Sequence, residues 1–143
     1  MPSHRLNRVV RALSSQRAAH EQTLSDARRA RDALLGELDD LDQALEAAQR
    51  SCTDPTDMHL RSVADRAARR IRDRSNDVKD RLDSLERTRV EPARTAAVRA
   101  RVREKGVELL AQRRVEAQRA ELSRKEQVDS DESAARIWLA RHG

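Results

Sequence analysis

"AQRSCTDPTD", Ala48–Asp57, is the one place in the first ninety residues where a long, charge-rich run stops reading as a helix. Asp54 suits a helix N-cap, Pro55 suits the first helical position, and Asp57 adds negative charge to the first turn. The stretch therefore reads as a reversal: a turn at 52–56 that joins a helix over about 4–51 to a second over about 55–140.

What lies before the turn supports that reading. Stepping alternately by four and three gives Leu6, Val10, Leu13, Arg17, His20, Leu24, Ala27, Arg31, Leu34, Leu38, Leu41, Leu45, Ala48 and Cys52. Eleven of these fourteen are apolar, and the mean step is the 3.5-residue period of a coiled-coil seam. The interruptions fall at Arg17, His20 and Arg31, so packing is expected to be tightest over Leu34–Leu45. His20, with no charged partner at seam spacing, is expected to reach solvent.

After the turn a second seam begins with Leu60, Ala64, Ala67 and Ile71 and resumes through Val78, Leu82 and Leu85 after a shift of about one residue. Alanines here would let leucines of the first helix approach closely. Pro92 removes a backbone donor, which predicts a kink or short break. Beyond it the helical signal continues, weakened by Gly106 and with a ragged apolar pattern. The expected fold is all-α: one antiparallel two-helix coiled-coil hairpin with an extended C-terminal helix.

Composition agrees with helices and not with a thick core. Charged residues make up 38% of the 143, Phe and Tyr are absent, and Trp138 is the single aromatic. Ala, Leu, Arg, Glu and Gln are strong helix formers, and the heptad period decides for helix over disorder. No apolar run approaches a membrane span or a secretory signal, so a cytoplasmic location is expected.

A turn at 52–56 pairs residues whose numbers sum to about 108, with Leu45 near Val63, Leu34 near Arg74 and Arg5 near Arg103. Past Lys105 the second helix runs out of partner, leaving close to forty residues, roughly 57 Å of helix at 1.5 Å each, to project. Charge is uneven as well. Residues 1–20 carry Arg5, Arg8, Arg11 and Arg17 with no acid, and residues 92–124 carry nine Lys or Arg against four Glu. Two basic segments meeting at the open end favour an acidic partner there.

The residues of most catalytic chemistries are missing. Three glycines form no phosphate loop, and Cys52 stands alone without a metal-ligand pattern, so no metal and no cofactor are expected. Carboxylates such as those of "ELDDLDQ", Glu37–Gln43, sit where a heptad exposes them to solvent, and a two-helix rod offers no water-excluding pocket. An enzyme is not expected. Nucleic-acid binding has in its favour Arg99, Arg101, Arg103, Lys105, Arg113, Arg114 and Arg119. Against it stand the interleaved Glu104, Glu108, Glu116 and Glu121 and the lack of aromatics to stack bases. A self-associating coiled-coil scaffold or adaptor is the other alternative.

The unequal Arg/Gln/Glu/Ala-rich hairpin, and above all residues 103–143 with their basic, Gln-rich helix followed by Asp131, Glu132 and Ala134 in a D-E-x-A pattern, resembles the FliJ/YscO family. These are the stalk proteins of flagellar and injectisome type III secretion. The scarcity of aromatics leans toward an injectisome member. The resemblance implies a non-enzymatic component, peripheral to the membrane export apparatus and not inserted in the bilayer. It would stimulate a hexameric secretion ATPase from within its pore and approach the cytoplasmic domain of the export gate, with escort chaperones as possible further partners. On that basis the ATPase-facing candidates are Arg5, Arg8, Arg11, Arg99, Arg101, Arg103, Arg113, Arg114, Arg119, Gln127, Asp131, Glu132 and Trp138. The gate- or chaperone-facing candidates flank the turn: Leu38, Leu41, Leu45 and Ala48, with Leu60, Ala64, Ala67 and Ile71. Most of these eight are expected to pack on each other, with only edge residues touching a partner. Trp138 suits either a helix end or an anchor for a partner.

Overall fold

A computed structural model describes residues 3–51 and 57–143, and every described residue except Asp57 and Gly143 is helical. Helix α1 runs Ser3–Ser51, α2 runs Met58–Leu85, a π-helical turn covers Glu86–Val90, and α3 runs Glu91–His142. The expected turn at 52–56, with Cys52, Asp54 and Pro55, lies outside the described residues. Asp57, expected inside the first turn, is instead the N-cap of α2. Its carboxylate accepts from the backbone N–H of His59 at 2.9 Å and of Leu60 at 3.3 Å, satisfying donors that the helix start leaves open.

The chain divides into two compact units, one of residues 1–15 with 101–143 and one of residues 16–100. In the second unit the core is thin and built mainly of small side chains. Val78 and Val90 are fully buried, and Ala27, Ala64, Ala68, Ser75, Ala93, Ala97 and Ala100 are buried along the helices. On α1 the heptad positions Leu24, Ala27, Arg31, Leu34, Leu38, Leu41, Leu45 and Ala48 are the less exposed ones, while His20 is exposed as expected. Arg17 is held at the seam by Glu21 one turn on, 3.3 Å away.

α1 and α2 meet in a register different from the expected one. Leu41 and Leu45 share a small cleft with Ile71 and Ser75, where a sum of 108 would have set Val63 beside Leu45. Arg74 reaches Glu37, not Leu34, through Nη2 at 2.6 Å and Nε at 3.1 Å to the same carboxylate oxygen. Leu41 and Leu45 of α1 thus lie across from Ile71 and Ser75 of α2. Leu60, expected in the seam, is exposed.

The buried positions after the turn explain the π-helical segment. Ala64, Ala68, Ile71, Ser75, Val78, Leu82 and Leu85 follow one another by four and three without a slip, so the shift expected between Ile71 and Val78 is not there. It occurs across Glu86–Val90, after which Val90, Ala93, Ala97, Ala100 and Glu104 take over one residue late. A regular helix would have carried the seam onto Arg89, Pro92, Ala96, Arg99 and Arg103, burying three arginines. One extra residue in a wide turn avoids this: the N–H of Glu91 reaches back five residues to the carbonyl of Glu86. Of the expected kink or short break at Pro92, a break is not seen: the helical run continues from the wide turn into α3 through the proline.

In the first unit the less exposed residues are Leu6, Val10, Leu13 and Ser14 of α1 and Glu104, Val107, Glu108 and Ala111 of α3. No described helix is long and apolar enough to cross a membrane.

Candidate functional site

What each part can do follows from what its neighbours leave uncovered. From Gln112 to Gly143 every residue of the first unit is exposed. This arm is polar on most sides, and ion pairs one turn apart support it as a helix: Lys125 Nζ with Glu121 at 3.3 Å, and Arg136 with Glu132 at 3.4 Å. Large apolar side chains nevertheless stand in water along it, namely Val115, Leu122, Val128, Ile137, Trp138 and Leu139, the last two about 60% exposed. The Trp138 ring stacks on His142 with centroids 4.9 Å apart. His142 Nδ1 lies 3.0 Å from the carbonyl oxygen of Trp138, and the N–H of Gly143 donates to that of Leu139. The helix is thereby closed with its one aromatic still open to a partner.

The ATPase-facing candidates divide as follows. Arg5, Arg8, Arg11, Arg101, Arg103, Arg113, Arg114, Arg119, Gln127, Asp131, Glu132 and Trp138 belong to the first unit, and Arg99 to the second; all are exposed. Seven of the eight gate-facing candidates are spent on helix packing: Leu38, Leu41, Leu45, Ala48, Ala67 and Ile71 are half-buried and Ala64 is buried. Leu60 alone offers its side chain freely, beside Met58, which is 85% exposed.

One surface was not foreseen. Ala30, Ala33, Leu34 and Glu37 of α1 face Arg81, Ser84, Leu85, Thr88 and Arg89 across an open groove of about 630 Å³. The π-helical turn forms part of its wall, and Thr88 Oγ1 donates to the carbonyl of Ser84 at 2.6 Å. The signal for it in the sequence was the one-residue offset between the seams on either side of residues 86–90. Among the described residues no group of three or more His, Cys, Asp or Glu is placed to hold a metal ion.

Comparison with known protein families, with characterised proteins and with solved structures finds no match to the chain.

Proposed function

We propose that the chain is an antiparallel two-helix coiled-coil hairpin with an extended C-terminal helix, acting without catalysis of its own as a stalk component of a type III protein secretion apparatus. The arm of residues 112–143 enters and stimulates the hexameric secretion ATPase. The turn-proximal part of the molecule meets the cytoplasmic domain of the export gate or an escort chaperone. The protein works in the cytoplasm, peripheral to the membrane export apparatus.

The observation that carries this reading is the unbroken exposure of the arm, which holds an ordered helix in water with Leu122, Val128, Trp138 and Leu139 uncovered. A helix with apolar side chains and no cover within its own unit is suited to a receiver. The exposed arginines Arg113, Arg114 and Arg119 suit an acidic pore lining. The hairpin is supported by the Glu37–Arg74 ion pair and by the opposite senses in which residues of α1 and α2 share clefts. A pull-down with a secretion ATPase and a gate cytoplasmic domain, run with an ATPase assay, tests the function. Binding with raised turnover is expected; no binding to either and no change in turnover would overturn it.

A further inference from the structure

The arm has a property that the stalk reading does not use, and the inference drawn from it does not depend on that reading. Its charge reverses near its middle. Residues 112–125 carry five Lys or Arg against two Glu, and residues 126–143 carry four acids against two Arg. The arm is thus net basic along one half and net acidic along the other.

From this we infer that two copies of the chain pair through their arms, antiparallel, about a two-fold axis near residue 125. Antiparallel pairing lays each basic half along the acidic half of the second copy, whereas parallel pairing would set like charge on like. The apolar residues agree on the same register. With Lys125 at the axis, Leu122 lies opposite Val128, Val115 opposite Ala135, and Ala111 opposite Leu139 of the other copy. Along Ala111, Val115, Gln118, Leu122, Lys125, Val128, Glu132, Ala135 and Leu139 the steps are all three or four and average 3.5, the period at which two helices stay in contact. Val115, Leu122, Val128 and Leu139, between 43% and 61% exposed in the single chain, are the side chains this interface covers. The contact is isologous, each copy offering the same surface, so it closes at two copies and does not propagate into a filament.

Two places in the seam are imperfect: Lys125 meets its own copy across the axis, and Gln118 faces Glu132 without a countercharge. That makes the interface weak, readily broken by salt, and open to improvement at one position.

Sedimentation equilibrium of the full chain tests this. A dimer is expected at concentrations on the order of 100 µM in low salt, shifting to monomer at about 0.5 M NaCl. Arg119→Glu, Arg124→Glu and Lys125→Glu together make both halves of the arm net acidic, and Glu126→Lys, Asp129→Lys and Asp131→Lys together make both net basic. Each triple variant is expected to be monomeric alone, and an equimolar mixture of the two is expected to dimerise. Lys125→Leu is expected to tighten the wild-type dimer about tenfold or more by replacing a like-charge contact with apolar burial. Helical content by circular dichroism stays unchanged throughout, because every substituted residue is exposed. A wild-type chain that stays monomeric, a triple variant that dimerises as wild type does, or a mixture that fails to associate would each overturn the proposal.

Discussion

The segment Met58–Val90 and the arm of residues 112–143 are of similar length, both helical, both rich in Arg, Asp or Glu, and alike in having few large apolar residues. One packs and the other does not. In the first, the less exposed positions recur by four and three from Ala64 to Leu85, so that even Ala64, Ala68 and Ser75 are shut off from water. In the arm larger residues, including Leu122 and Trp138, are exposed. Composition sets helicity in both; the phase of the small and apolar residues, and whether a second helix lies against them, decides burial.

Adding a single residue should separate the two most sharply. Inserting one alanine after Thr88 puts a second extra residue into the wide turn and moves Arg89, Arg99 and Arg103 into the seam. The thermal midpoint is expected to fall by more than about 10 °C. Inserting one alanine after Ser123 in the arm, at a concentration where the chain is monomeric, is expected to leave the midpoint where it was. Equal effects would abolish the distinction.

A smaller contrast comes from trimming one valine in each region. Val78→Ala, at a fully buried site, is expected to cost about 2 kcal/mol in urea unfolding, and Val128→Ala under about 0.5 kcal/mol. The start of α2 should register next, with Asp57→Ala costing about 1 kcal/mol through two lost acceptor contacts. Least of all, Glu37→Gln is expected to cost about 0.5 kcal/mol, and less in high salt, because both partners of its pair with Arg74 are partly exposed. A loss there as large as that of Val78→Ala would mean that ion pairing, and not side-chain fit, holds α1 on α2.

The sequence made some of this plain and concealed the rest for physical reasons. On α1, leucines at 24, 34, 38, 41 and 45 leave one face, and that face is the less exposed one; His20 falls on it by spacing but is exposed, as expected of an imidazole with no partner there. On α2 the seam is made of alanines, and Ala67 and Ala68 sit side by side, so the pattern admits either. The structure buries Ala68, leaves Ala67 half-exposed, and moves the pairing with α1 accordingly. Ala96 and Ala97 hid the π-helical insertion in the same way: only by asking what would happen to Arg89, Arg99 and Arg103 does the offset become necessary. Pro92 drew attention to the right neighbourhood, since the π-helical turn ends two residues before it. As to the site, the uncovered arm was legible from chain length past the turn, while the groove beside Thr88 depended on the insertion and was not.

The central claim is that the arm beyond Ala111 is a functional helix and not part of the packed molecule. Its most direct test is the turnover of a type III secretion ATPase measured with the full chain and with a chain ending at Ala111. The account predicts stimulation by the full chain and none by the shortened one, with the shortened chain still helical and cooperatively folded. Equal stimulation by both, or none by the full chain, would contradict it.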